Sequence, residues 1–537
     1  MSTVKTIFEE IKLMKKLPID VSDFETLISN DYVYVDKTKQ IHHLITSGRL
    51  YFLSRPRRFG KSLLISTLKE IFSGNKKLFD KLWIGKSNYT WPQHPIVELN
   101  FAALSYKNAD ALEADLSWKL ENIAHENGIS VSDAPSLETK LISLISQLSK
   151  TNKVVVLVDE YDYPLLRHLG SLNAAREIRD ALSSFFTVIK TLDDGGYIRG
   201  IFITGVTKFS KASIFSGMNN LNDISLDLDG ATLLGYTKEE IDTYFEEAIS
   251  EFARAQKLRE STIKKSMVVW YNGYKFTGSP YAQKVYNPFS ILYYLQKQQQ
   301  KNYWFESGTP FFLVDLIKKH YELPEQVEKL ENVVVGESSL GAFDLEAKLP
   351  LYTLLFQTGY LTIKSYNSAL QAYTLGYPNE EVRLSLSTHL MGILVNKDKE
   401  EVNAAIFALR NALDTNNMEL FYTHFQSLLA DIPHDIYVEN EAYFHSLFHL
   451  FAKLLGLDVQ SEIHTSVGRI DLVVITKKHV YIFEFKFNKT GQKALEQIQD
   501  RRYYEKYLES KKPITLVGLS FNYSDKKLVL DKVSEAL

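Results

Sequence analysis

The stretch VVVLVDE, residues 154–160, sets five consecutive apolar residues against two acids. A strand with one wet face alternates apolar and polar residues; one that is apolar throughout is covered on both faces, as in the middle of a parallel sheet. LYFLS (50–54) and IRGIFITGV (198–206) read the same way, IVELNF (96–101) is strand-like, and YVYVD (32–36) reads as a further short strand. Helical spacing fills 61–72, 107–125, 136–150 and 173–190. Strands alternating with helices predict an α/β fold, a parallel sheet with flanking helices.

The pattern changes after about residue 230. Amphipathic helices follow, broken by the aromatic-rich turns WYNGYKF (270–276), VYNPFSIL (285–292) and YWFESGTP (303–310), which predicts a mostly helical middle region. It changes again near 398, where helical stretches at 399–414, 417–430 and 440–456 lead into IDLVVI, HVYIFEF and a helix at 490–509. A chain of 537 residues is too long for one core. The regimes divide it into 1–230, 231–397 and 398–537.

Composition removes several classes of chemistry. The absence of cysteine excludes disulfides, thiol catalysis and cysteine-ligated zinc. MSTVKTIFEEIKLMKKLP at the N-terminus is too charged for a signal peptide, and no apolar run reaches membrane-spanning length, so the expectation is a cytoplasmic protein with no membrane partner. A net charge of −3 argues against a surface that is basic all over. Residues 477–512 carry ten Lys/Arg against five Asp/Glu, the excess of a solvated face.

The loop after LYFLS is RPRRFGKS (55–62), which ends as a phosphate-binding loop does but starts with Arg55 where such loops have glycine. In such a loop the backbone of Arg57, Arg58, Phe59 and Gly60 would wrap the phosphates of ATP. Lys61 would reach the β- and γ-phosphates, and the Ser62 hydroxyl would help hold Mg²⁺. Gly60 lets the backbone approach the anion closely. Arg55, Arg57 and Arg58 would add positive potential. Downstream, Asp159 and Glu160 end a buried strand, where the first would hold Mg²⁺ and the second would activate the attacking water. Thr204 or Thr207, at the end of IRGIFITG, would sense the γ-phosphate.

GRIDLVVITKKHVYIFEFKF (468–487) reads as a hairpin turning at Lys477–Lys478. That turn sets Asp471 opposite Glu484, with Cβ atoms about 4.5–5.5 Å apart, and puts Lys486 on the same face. Two facing carboxylates on an apolar hairpin repel unless a cation lies between them. Mg²⁺ shared by Asp471 and Glu484, with Lys486 orienting or deprotonating the nucleophile, would suit hydrolysis of a phosphodiester. His464 and His479 lie near turns and are read as surface residues.

YVDKT (34–38), RPRRFGKS, LVDEYDYP (157–164), ITGVTKFSKASIFSGMNNL (203–221), GYTKEEI (235–241), WYNGYKF, VYNPFS, SGTP (307–310) and QTGYLTI (357–363) together resemble the bacterial AAA-ATPase-like proteins. An arginine-rich loop is the norm there, so the resemblance makes RPRRFGKS a variant phosphate loop. It implies a P-loop NTPase fold joined to a C-terminal restriction-endonuclease-like α/β domain of the PD-(D/E)XK type. It adds Glu441 to the metal shell and marks Gln497 as a structural or substrate-orienting glutamine; Arg501, Tyr503 and Tyr504 would contact a nucleic-acid backbone or simply pack. The function expected is ATP hydrolysis coupled to Mg²⁺-dependent cleavage of nucleic acid, DNA ahead of RNA, with self-association left open. The alternative is a nucleotide-dependent switch whose nuclease-like domain binds without cleaving.

Overall fold

The structure, a computed structural model, describes residues 15–105, 107–169, 171–209, 214–215, 218, 220–308, 329–341, 350–430, 447–448, 450–452, 454–455, 458–465, 468–524 and 527–537. The chain forms two compact units, Met1–Leu313 with Asn332–Val382, and Val314–Glu331 with Arg383–Leu537.

In the first unit, β1 (Leu50–Ser54), β2 (Ile96–Asn100), β3 (Val154–Asp159), β4 (Ile198–Gly205) and β5 (Asn222–Asp223) form a five-stranded sheet in the order β2-β3-β4-β1-β5. Every pair in it is parallel. The apolar runs are central as expected: β1 and β3 are buried at each residue. Between strands run α1 (Lys61–Phe72), α2 (Ala109–Glu126), α3 (Leu137–Leu148) and α4 (Leu172–Asp194). Asn108 caps α2, and Ser136 with Thr139 forms a capping box on α3, satisfying amides that a helix start leaves open. Because β4 lies between β1 and β3, the C-terminal ends of these three strands adjoin, although their residues are far apart in sequence.

YVYVD is not a strand of this sheet. It makes a single bridge, Lys16 with Tyr32, and its Val33 and Val35 pack into a helical cluster with Ile241, Phe245, Ile249 and Ile291. Its alternation is satisfied by helices rather than by strand neighbours. The last of these residues lies on α5 (Pro288–Lys297), capped by Asn287 of the VYNPFS motif. The middle region also holds an unanticipated three-stranded antiparallel sheet, β6 (Val333–Gly336), β7 (Thr362–Asn367) and β8 (Ala372–Gly376), in the order β6-β8-β7.

The second unit has α6 (Lys399–Asp414) and α7 (Met418–Leu429), then β9 (Asp458–Thr465), β10 (Gly468–Ile475), β11 (Val480–Phe487), β12 (Ile514–Ser524) and β13 (Lys527–Ala536) in the sheet order β13-β12-β11-β10-β9. Only β11 and β12 pair in parallel, so a crossover must join them, and α8 (Gly491–Asp500) supplies it. The helix expected over 490–509 is broken: α8 stops at Asp500, Arg502 takes φ +49°, and a 3₁₀ turn covers Glu505–Ser510. The break turns Tyr503 and Tyr507 into the core beside Ile498 and Ile514. Among the described residues, no helix is long and apolar enough to cross a membrane.

Candidate functional site

The loop between β1 and α1 has the backbone of an anion cradle. Gly60 sits at φ +96° immediately before α1, which has no side-chain N-cap, and Arg58 sits at φ +66°. An uncapped helix start leaves amide donors directed at whatever lies before it. Lys61, the first residue of α1, is buried and donates to the carbonyls of Arg55 and Pro56, each at 3.1 Å. Burial lowers its pKa, while Glu160, Asp159 and Asp162 favour its charge. Ser62 Oγ donates to Asp159 Oδ2 at 2.6 Å, and Thr204 Oγ1 donates to Asp159 Oδ1 at 2.5 Å. The loop, the acid strand and the Thr204 strand therefore meet at one carboxylate.

Glu160 follows with φ +52°, a conformation that a side chain other than glycine seldom takes and that is common at functional sites. Its N–H reaches Thr204 Oγ1 at 3.4 Å. Burial raises its pKa, and the nearby Lys61 charge is the chief opposing influence. Arg57, Gly60, Lys61, Ser62 and Glu160 line a cavity of about 440 Å³, together with apolar residues that include Val33, Val35, Ile41 and Leu292. Tyr163 and Arg167 line it too, joined by a 2.7 Å bond from Arg167 Nη2 to the Tyr163 hydroxyl. Sequence reasoning missed this pair, although the i, i+4 spacing in DEYDYPLLR was available to it.

Two expectations need correction. Arg55 does not present its side chain to the cavity. It is 1% exposed, donates to the carbonyls of Ser54 (2.8 Å), Ser225 (2.8 Å) and Gly230 (2.6 Å), and lies 4.1 Å over the Phe276 ring. A guanidinium can bind several carbonyls at once, so it fixes the base of the loop where glycine would leave it loose. The Phe59 side chain is likewise buried, edge-on to Tyr274 and Phe276 at 4.9 and 5.5 Å, leaving its backbone to the cradle. Thr207 does not face the cavity chemistry: its amide and hydroxyl each donate to Asp162 Oδ2 at 2.6 Å, joined by the Val206 amide at 3.1 Å. Asp162 is thereby committed to holding the end of β4.

In the second unit the hairpin has the expected register. Leu472 pairs with Phe483 and Ile475 with Val480, around a turn in which the Thr476 amide donates to the His479 carbonyl at 2.9 Å. The paired ladder ends at Leu472–Phe483; just beyond it, Asp471 Oδ2 accepts from the Phe485 amide at 2.9 Å, next to Glu484 in sequence. Lys486 Nζ donates to Glu484 Oε1 at 3.0 Å and to the Phe485 carbonyl at 2.9 Å. Gln497 on α8 also donates to Glu484 Oε1 through Nε2. The Glu484 charge is thus already offset by Lys486, and Asp471 has a structural bond that the sequence did not reveal. Two carboxylates and a carbonyl make an all-oxygen donor set, which suits a hard divalent cation. Among the described residues, no group of three or more acidic or histidine side chains could hold a metal, and Glu441 lies outside those residues. Tyr503 is buried in the core, Tyr504 is half-buried against it, and Arg501 is exposed.

Comparison with known proteins gives these sites a context. Residues 18–215 match the AAA-ATPase-like family model, described as "Predicted AAA-ATPase", and residues 439–530 match the PD-(D/E)XK nuclease superfamily. An uncharacterized protein in the vnfD 5' region of Azotobacter chroococcum mcd 1 is 38% identical over 537 residues, covering 97% of this chain and 99% of that protein. The solved structure of the Aeropyrum pernix Orc1 protein in complex with DNA is similar at 12% identity and a TM-score of 0.25, over 68% of this chain and 96% of that one. The chain belongs to the AAA-ATPase-like family, and carries a PD-(D/E)XK nuclease superfamily domain toward its C-terminus.

Proposed function

We propose that the protein binds and hydrolyses ATP with Mg²⁺, and that this cycle controls Mg²⁺-dependent cleavage of nucleic acid, DNA ahead of RNA. The observation that carries the ATPase reading is the hydrogen-bonded chain Ser62–Asp159–Thr204 beside Lys61 and Glu160. A hydroxyl and a carboxylate at 2.6 Å offer the oxygen donors that fit Mg²⁺ bound with a triphosphate. Bound there, Mg²⁺ would neutralise charge on the phosphate oxygens. Lys61 brings a compact positive charge to the same phosphates. Glu160, with its proton affinity raised by burial, takes the proton of the attacking water. Thr204 bonds both the Asp159 carboxylate and the Glu160 amide, and so fixes the two acids relative to each other. The apolar residues among the cavity lining suit a nucleobase.

For the hairpin, Asp471, Glu484 and the Phe485 carbonyl would hold the cation, and Lys486 would orient or deprotonate the nucleophile. One observation favours the second reading, binding without cleavage: Lys486 and Gln497 both bond Glu484 Oε1, so its charge is offset without a cation.

The test uses the full chain with mixed DNA and RNA substrates, with and without ATP and Mg²⁺. Lys61→Ala should remove ATP binding, and Glu160→Gln should bind ATP without turning it over. Asp471→Asn, which keeps an acceptor for the Phe485 amide, should lose cleavage and keep ATP turnover. Wild-type protein that binds these substrates and leaves them intact would establish the switch reading instead.

A further inference from the structure

Behind the phosphate loop lies a set of side chains that the proposed chemistry does not use. The Trp304 indole N–H donates to the carbonyl of Arg57, inside the loop, at 2.9 Å. Trp304 is 2% exposed, and Gly359 allows the approach: a Cβ there would come within 2.7 Å of Pro56 and 3.2 Å of the Trp304 ring. Gly359 has φ +92°, so both its conformation and the space exclude a side chain. Trp304 is in turn held through its backbone: its amide donates to Glu381 Oε1 at 2.7 Å. Ser290, in the first turn of α5, donates its hydroxyl to Glu381 Oε2 at 2.7 Å. Glu381 is 0% exposed. A buried carboxyl is costly unless it is fully bonded, so its place here implies a task.

We propose that Glu381 and Trp304 are positioning residues that preset the phosphate loop for nucleotide, acting through the indole bond to the Arg57 carbonyl. The inference rests on the nucleotide-binding reading of that loop. A cradle built from amides works only while its carbonyls point away from the anion, and a single mis-rotated peptide would direct an oxygen at the phosphates. The Trp304 N–H gives the Arg57 carbonyl a partner on the far side of the loop. Glu381 fixes the backbone from which the indole reaches. The loop is therefore set before ligand arrives, and the cost of ordering it is not taken from the binding energy.

The readout is the dissociation constant of ATP, with Mg²⁺, beside that of adenosine, which has no phosphate to engage the cradle. In the full chain, Trp304→Phe keeps a ring beside Tyr360, whose centroid is 5.4 Å away, and loses the N–H donor with part of the indole's bulk; the adenosine arm separates that packing loss from the loop effect. ATP should bind roughly five- to tenfold more weakly, the weight of one hydrogen bond, while adenosine binds as before. Glu381→Ala should weaken ATP similarly, the double variant should be no worse than either single one, and Glu381→Gln should restore what Glu381→Ala loses. Wild-type ATP affinity in Trp304→Phe overturns the proposal. So does a parallel loss of ATP and adenosine, since that marks general damage to the fold. Lys61→Ala separates the two levels of the argument: if it binds ATP normally, the loop is not a phosphate site, and the nucleotide reading falls with the inference.

Discussion

A carboxyl removed wholly from water gives up its charge readily. Burial pushes the Glu381 pKa up to about 8; bonds from Ser290 and the Trp304 and Phe305 amides act the other way, and Glu306 adds to the rise. Tyr271, Tyr274 and Tyr303 also interact electrostatically with Glu381. In the unfolded chain a glutamate titrates near about 4.3. Between that value and about 8 the folded protein therefore holds a proton that the unfolded chain has lost. Stability from this group is complete at the acid end and declines as pH rises through that window. Glu381→Gln should flatten the fall of melting temperature between about pH 4 and pH 8, and should melt above wild type, by a few degrees, at the alkaline end of that window. A wild-type profile with the same slope as the variant would contradict this. Nothing in PNEEVRL distinguishes Glu381 from its neighbour Glu380, because burial arises from contacts with residues 77 and 91 positions away. Arg55 shows the opposite: the departure from glycine was plain in the sequence, but its three carbonyl partners were not.

At the scale of elements, α8 lies so close to β12 that Gly518 cannot carry a side chain. A Cβ there would meet the Leu495 amide nitrogen at 2.7 Å and the Ala494 side chain at 3.2 Å. Gly518→Ala should therefore push α8 outward and cost about 1–3 kcal/mol, measured by urea denaturation. Because α8 carries Gln497, which bonds Glu484, the same variant should lose nucleic-acid cleavage while ATP turnover persists. A variant as stable as wild type would show that α8 adapts. The hairpin itself was legible beforehand: apolar strands of equal length around Lys477–Lys478 admit one register, and a slip by one residue would expose each buried side chain. YVYVD was misread because a short alternating run fits a helix cluster as well as a sheet.

For the whole molecule, the coupling is what the two sites leave to experiment. If nucleotide occupancy sets the state of the nuclease-like domain, Glu160→Gln with ATP should cleave at the wild-type rate seen with ATP. Lys61→Ala should cleave at the nucleotide-free rate whatever is added. Equal cleavage by all three proteins, with and without ATP, would dissolve the coupling. The candidate residues at each site were legible in the chain because their patterns depend on residue type at short spacing: GKS before a helix, two acids closing an apolar strand, and Asp471 and Glu484 across one turn. Local sequence also marked the central strands β1, β3 and β4, since a mostly apolar run packs best between two layers, whereas the two polar residues of β5 gave no such signal. The support behind those residues came only from the tertiary structure. The order β2-β3-β4-β1-β5 brings Ser62, Asp159 and Thr204 together. The middle-region motifs, which carried no assignable chemistry, proved to brace the phosphate loop from behind through Trp304, Gly359 and Phe276. A hydrogen bond between residues 247 positions apart leaves no periodicity in the chain, and so only folding could disclose it.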